Sequence, residues 1–221
     1  MPEFDWLPMV GALLVISTSF TLLLNPSWRV SLATLAVQYL GIFILVSSVL
    51  PFELALAKLV TGWMAAAVLG MSISGLVRQG EFLPDGSNPL ADRSPETSDA
   101  SGGSPGWQSF SGRAFRLLTG LLAAMVGFTI APQLTEWVPG LSSEQAWGSV
   151  ILLGVGLLQL GFTVQPFRTI LGLLTFLAGF EVVYAAAEQS ALVTGFLAVV
   201  TLGLSLAGAY LLMVATLEES T

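Results

Sequence analysis

Phe167-Arg-Thr-Ile-Leu-Gly-Leu-Leu-Thr-Phe-Leu-Ala-Gly-Phe-Glu-Val-Val-Tyr-Ala-Ala-Ala187 begins beside one arginine and holds a single further charge, Glu181. About 20 consecutive, mostly apolar residues reach across the ~30 Å hydrocarbon core of a bilayer when helical, so this run reads as a membrane-crossing helix. Comparable runs recur near Trp6–Leu24, Arg29–Leu50, Phe52–Leu76, Ala114–Leu134, Ala146–Gln165 and Ala191–Leu217. The sequence therefore predicts an all-α integral membrane protein with seven transmembrane helices. Composition agrees: 54% of the 221 residues are hydrophobic and only 10% are charged, against roughly 25% charged in a soluble domain.

The segment between the third and fourth runs, Val77–Gly112, is rich in Gly, Ser, Pro and Asp. Too few of its side chains are apolar to offset the entropy lost on ordering them, so it is expected to be a disordered linker without catalytic content. The chain then divides into a first three-helix membrane unit, residues 1–76, the linker 77–112, a fourth helix with its outer loop, 113–145, and a second three-helix unit, 146–221. Seven crossings put alternate connections on opposite sides. Arg29, Arg78, Arg93, Arg113, Arg116 and Arg168 then all fall on one side. Positively charged loops stay cytoplasmic, which predicts a plasma-membrane protein with its N-terminus outside and its C-terminus and linker in the cytoplasm. Trp6, Trp28, Trp137 and Trp147 stand near predicted helix ends, where interfacial anchors belong. Met1-Pro-Glu-Phe-Asp5 lacks the basic start of a secretory signal, so the first run is expected to stay as a helix.

A weak repeat is visible as well. Pro26-Ser-Trp-Arg29 and Pro166-Phe-Arg168 each follow one helix and precede two. Helices 1–3 and 5–7, joined by helix 4, would form two repeats of equal orientation, a parallel repeat; coincidence is the competing explanation.

An ionisable residue at membrane depth costs about 2.5 to 3.5 kcal/mol on insertion scales, so each one needs a reason. Lys58 lies about six residues inside the outer start of the third run, and Glu181 about six short of the outer end of the sixth. At 1.5 Å per residue both sit ~9–10 Å below the outer surface. Two readings follow. Either the two face each other as an ion pair or as a proton-holding site in which the ammonium acts as a charge switch on the carboxylate, or Lys58 snorkels to the interface and Glu181 merely pins packing. Seven residues are nearly two turns, so Glu188 shares a face with Glu181, with Tyr184 and Ala185 beside them. That column could carry protons outward, or Glu188 is an ordinary helix-end charge. Gln38, Gln159, Thr61 and Thr175 are neutral polar groups inside the runs, for which interhelical hydrogen bonding is the default. Gln38 stands out because it lies near the depth that Glu181 approaches in the second unit. Gly62, Ala66, Gly70 and Ser74 follow Lys58 at four-residue spacing. A row of small side chains permits close helix approach, which points Lys58 into a helix interface. Thr175 with Gly179 and Gly203 with Ala207 show the same spacing more weakly.

With no Cys and no His, the chain lacks thiolates, disulfides and the usual ligands of zinc, haem and iron–sulfur clusters. It also has no phosphate-binding glycine loop with Lys, no nucleophile–base pair and no basic nucleic-acid patch. No cofactor, metal or nucleic acid is expected. The formal net charge of -7 is set mostly by the linker and outer loops and says little about function.

Arg168-Thr-Ile-Leu-Gly-Leu-Leu-Thr-Phe-Leu-Ala-Gly-Phe-Glu181-Val-Val-Tyr184 resembles the small K-type membrane subunit of complex I, component E of the hydrogenase-4 group and the C-type subunit of multisubunit cation/proton antiporters. In these, a glycine shortly precedes a membrane-embedded Glu on a short apolar helix, and another apolar helix follows. The likeness is specific over Pro166–Met213; Ser27-Trp-Arg29 to Val37-Gln38-Tyr39 resembles the early Arg-and-Gln segment of component E. The resemblance implies that Glu181 is the carboxylate of a proton or cation pathway in a non-redox subunit of an oxidoreductase-like assembly, with other membrane subunits as partners. One departure stands against active pumping. K-type subunits carry a second buried Glu on the next helix, whereas here Ala191–Leu217 holds no ionisable residue other than tyrosine. A stand-alone small transporter and a structural or assembly protein are the competing expectations.

Overall fold

The computed structural model describes residues 6–25, 27–79, 105–162 and 165–219. They form seven helices: α1 Leu7–Leu24, α2 Trp28–Val46, α3 Phe52–Gln79, α4 Pro105–Trp137, α5 Ser143–Phe162, α6 Pro166–Ala187 and α7 Ala191–Glu219. Among the described residues there is no strand. All seven are long and apolar enough to cross a membrane, which fits a multi-pass membrane protein.

The expected linker is shorter than its composition suggests. Residues 77–79 continue α3 and residues 105–112 open α4; residues 80–104 lie outside the described residues. Extending an existing helix fixes one residue per added hydrogen bond, far easier than nucleating a new one, so α3 runs past its apolar stretch. At the other end Pro105 is suited to a first helical position, where its missing N–H is no loss. The second helix, conversely, stops at Val46, and residues 47–50 form a turn closed by bonds from Ser47 N–H to the Phe43 carbonyl and from Leu50 N–H to the Val46 carbonyl. The fifth begins at Ser143 because Ser142 caps it: Ser142 N–H donates to Gln145 Oε1 at 3.0 Å while Gln145 N–H donates to Ser142 Oγ at 3.3 Å. This reciprocal pair satisfies amides that the helix start leaves open. Before it, Gly140 adopts φ +88, a left-handed conformation that suits glycine and turns α4 into α5.

Packing joins α1 to α2 and α2 to α3, α5 to α6 and α6 to α7, and then crosses between these groups through α1 with α5, α2 with α6 and α3 with α7. The result is a ladder of two three-helix rows, with α4 set against α5 and α1 at one end. The main core runs along α1, α2, α3, α5, α6 and α7, with Leu35, Leu45, Leu69, Leu152 and Leu174 buried in it. Lipid offers apolar side chains no less than a protein core does, so helix association relies on close fit and interhelical hydrogen bonds. Both are present. A Cβ on Gly156 of α5 would fall 2.6 Å from the Phe176 backbone nitrogen, and one on Gly179 of α6 would fall 2.8 Å from the Leu153 backbone nitrogen, so α5 and α6 meet almost backbone to backbone. Gln145 Nε2 donates to the Leu45 carbonyl at 2.8 Å and Ser48 Oγ at 3.1 Å, fastening α5 to α2. Trp63 Nε1 reaches across from α3 to the Ala36 carbonyl at 3.1 Å. By contrast α4 leaves Phe115, Leu118, Leu122, Met125 and Phe128 exposed, the pattern of a helix facing acyl chains.

Candidate functional site

Along α3 the buried positions Ala55, Lys58, Leu59, Gly62, Ala65, Ala66 and Leu69 form one helical stripe, spaced at three and four residues as an inward face must be. Lysine thus occupies a position that its neighbours fill with Ala, Gly and Leu. On α6 the corresponding stripe runs through Leu174, Ala178, Glu181, Val182 and Ala185. The two charged members meet: Lys58 Nζ lies 3.4 Å from Glu181 Oε2, with each side chain 5% exposed. Of the two readings of Lys58, snorkelling is therefore set aside by geometry, since the ammonium is directed to a carboxylate inside the bundle.

The other carboxylate oxygen, Oε1, accepts a hydrogen bond from Thr201 Oγ1 of α7 at 3.1 Å. The same hydroxyl lies 3.0 Å from the Leu197 carbonyl, and one hydrogen must serve both acceptors. Tyr39 of α2 completes the surroundings. Its ring lies against Gly62, one turn along α3 from Lys58, where an added Cβ would fall 2.2 Å from the ring, and Tyr39 lies within electrostatic reach of the carboxylate. Four helices thus contribute: α2 with Tyr39, α3 with Lys58, α6 with Glu181 and α7 with Thr201. Chemically the arrangement offers one carboxylate, one ammonium and one shared hydroxyl proton in a space withdrawn from solvent, a set able to hold or pass a proton or to exchange the ammonium for another cation.

Thr201→Val is expected to cost about 1 kcal/mol, less than the roughly 1.5–3 kcal/mol of an undivided bond to a charged group, because the hydroxyl proton is already divided between two acceptors. Thermal unfolding in detergent checks it; a loss near that of removing a charged partner would mean that Thr201 supports Glu181 alone.

Other expected site residues lie elsewhere. Gln38 donates through Nε2 to Ser19 Oγ of α1 at 3.3 Å, so it faces α1 and not the ion pair. Successive residues of a helix differ by about 100°, and the residue directed to the site is its neighbour Tyr39. Tyr184 packs its ring against Phe180, with centroids 5.9 Å apart, and Glu188 is exposed at the α6 C-cap, where its backbone N–H donates to the Tyr184 carbonyl. Neither is joined to Glu181 by a hydrogen bond or ion pair among the described residues. Of the small-residue row, Gly62 and Ala66 are buried, a Cβ added to Gly70 would meet Leu32 at an ordinary 3.4 Å, and the Ser74 hydroxyl turns back onto the Met71 carbonyl. Four-residue steps drift about 40° per repeat around a helix, so the row leaves the interface as it climbs. Thr175 is buried on α6 and its hydroxyl has no partner among the described residues. Gly203 and Ala207 are exposed; the close approach on α7 is made by Gly208, whose added Cβ would meet Ile170 at 2.5 Å.

Compared with known proteins, the chain matches no protein-family model, no curated protein and no solved structure.

Proposed function

We propose that this chain is a membrane subunit that contributes a buried, exchangeable ion pair to proton or cation translocation, within an assembly of the hydrogenase or complex I type. The observation that carries this reading is the contact of Lys58 with Glu181 at 3.4 Å, both withdrawn from solvent. Charges at such positions are costly and are kept mainly where they serve a path or switch. The resemblance of Arg168–Tyr184 to K-type subunits puts Glu181 in the role of the pathway carboxylate. Where those subunits carry a second carboxylate on the next helix, α7 supplies the Thr201 hydroxyl, and α3 supplies an ammonium. The pair would then switch with its partner subunits and would not pump alone. In this reading the N-terminus is outside and the C-terminus cytoplasmic in the plasma membrane; Arg116 and Arg168, which line one cavity, lie on the cytoplasmic side. Glu181→Gln is expected to lower proton-coupled activity of the intact, normally assembled complex severalfold; undiminished coupling in a fully assembled complex would remove the mechanism.

One observation favours a second reading, a stand-alone transporter. The ion pair joins α3 to α6, one helix from each proposed repeat, and a substrate site between repeats is a common transporter plan. Copurification after mild extraction together with flux measurements on the chain reconstituted alone separates the two: partner subunits and no flux favour the first, flux without partners the second.

A further inference from the structure

Gln38, Gln159 and Thr175, neutral polar groups inside the apolar runs, each carry an atom without a partner. Thr175 is fully buried, and its hydroxyl has no hydrogen bond among the described residues. Gln38 and Gln159 are 1% and 7% exposed, and Gln38 Oε1 and Gln159 Nε2 are unmatched in the same sense. Thr175 departs from the habit of its neighbours, because Thr18, Ser19, Thr61 and Thr169 turn their hydroxyls back on a carbonyl four residues earlier, the usual partner of a hydroxyl in a helix. Burying a polar atom is costly unless it is bonded. These three form a complementary set: an acceptor, a donor and a hydroxyl that is both.

The fold brings them to one place. On α2, Gly41 packs against Val15 of α1, and Tyr39 against Gly62 of α3; at about 100° per residue Gln38 points between these two directions, toward the opposite row of helices. On α6, Gly172 and Gly179 pack against α5, Glu181 reaches Thr201 of α7, and Phe180 is exposed. The remaining side, which holds Thr175 with buried Leu171, Ala178 and Val182, is turned to α2, against which α6 packs. Both helices start at the arginine-bearing end, and Gln38 and Thr175 lie ten and nine residues past Trp28 and Pro166, or ~15 and ~13.5 Å along the axes. They stand at one level. Gln159 sits slightly nearer that end: a Cβ added to Gly172 would fall 2.9 Å from the Gln159 Cβ, and Gly172 precedes Thr175 by three residues, about 4.5 Å.

A cavity lies directly beneath. Gln159 itself lines it, with Ser31, two turns before Gln38, and Leu171, one turn before Thr175. Its room is about 20 Å³, more than the ~10–15 Å³ that one water requires and too little for a larger ligand. A water there can accept from Gln159 Nε2 and donate to Ser31 Oγ, whose own proton goes to the Ser27 carbonyl at 3.0 Å, and so meets the need of buried water for at least two polar partners.

We infer that bound water ties Gln38 of α2 to Thr175 of α6 and Gln159 of α5, as a polar joint between the two rows of helices. Direct bonds fasten the rows on either side of this level: Gln145 to the Leu45 carbonyl and Lys58 to Glu181 toward one end, Arg168 to the Asn25 carbonyl toward the other. The water joint fills the stretch between them, whatever the role of Glu181.

The test compares the unfolding temperature of the full chain in neutral detergent for the wild type, Thr175→Val, Gln38→Leu and the double variant. With water joining the two, each single substitution removes a bridging partner and lowers the temperature by about 2–4 °C, the size of one lost hydrogen bond, and the double variant falls by clearly less than the sum. A rise in Thr175→Val would mean a hydroxyl unmatched in the folded protein, and additive effects would mean one satisfied within its own helix; either overturns the joint. If Gln38→Leu fails to fold, Gln159→Leu combined with Thr175→Val reads the same coupling. A density map of the full chain that resolves ordered water separates a bridge from a direct bond. Water within hydrogen-bond distance of Thr175 Oγ1 and of either amide is expected, and a direct bond between Thr175 and Gln38 would overturn the proposal.

Discussion

Glu181→Leu alone is expected to destabilise the bundle by about 3–5 kcal/mol, and Lys58→Met alone by a similar amount, whereas the two together should leave stability unchanged or improved. Each single substitution strands a charge whose side chain is 5% exposed in the folded protein. The stranded group keeps the whole cost of leaving water and loses the partner that offset it. Removing both deletes that cost at once and leaves apolar side chains of similar volume in an apolar setting, an exchange that buried ion pairs elsewhere tolerate well. Unfolding measured for the wild type, both singles and the double gives the coupling energy of the pair directly. Small, additive losses from the singles would mean that the two groups do not meet in the folded protein. The same four proteins also separate the readings of function. A static pin predicts that the double variant is stable and fully active, while a proton or cation site predicts that it is stable and inactive.

Lys58 and Glu181 were legible because two quantities fix them: the length of apolar helix that spans a bilayer and the rise per residue, which together set equal depth before any contact is known. Seven helices follow from the same lengths. Rotation of each helix about its axis is far harder to read, because lipid and protein interior are both apolar and the sequence shows little contrast between faces. Hence Gln38 was expected at the site while its neighbour Tyr39 stands there, and Gly203 with Ala207 suggested a contact that Gly208 makes. Thr201 carried no visible signal. One hydroxyl in a transmembrane helix is common and usually bonds to a carbonyl of the preceding turn, as this one also does; only the placement of α6 against α7 gives it a carboxylate. The ends of α3 and α4 were misjudged for another reason: hydropathy marks where a helix leaves the membrane, and hydrogen bonding decides where it ends.

Gly62→Ala is expected to cost about 3 kcal/mol, the upper end for overpacking a core, although it adds one methyl group. The added carbon would lie 2.2 Å from Cγ and Cδ1 of Tyr39. These are atoms at the root of the ring, which cannot swing clear as the tip of a long side chain can. Tyr39 is itself buried, in the core shared with Leu35, Leu59 and Ala66. Relief therefore requires α3 to draw away from α2, and Lys58, one turn from Gly62 on the same face, moves with it. Two consequences separate this account from a general intolerance of substitution in the helix. Alanine favours helix formation more than glycine by roughly 1 kcal/mol, so any loss at this position arises from the contact and not from the backbone. Tyr39→Phe, which keeps the clashing carbons, should not rescue Gly62→Ala, whereas Tyr39→Ala should recover part of the loss despite leaving a cavity. Rescue by Tyr39→Phe would shift the conflict from the ring carbons to the hydroxyl, and with it the idea that an aromatic face seated on a glycine sets the distance from which Lys58 reaches Glu181.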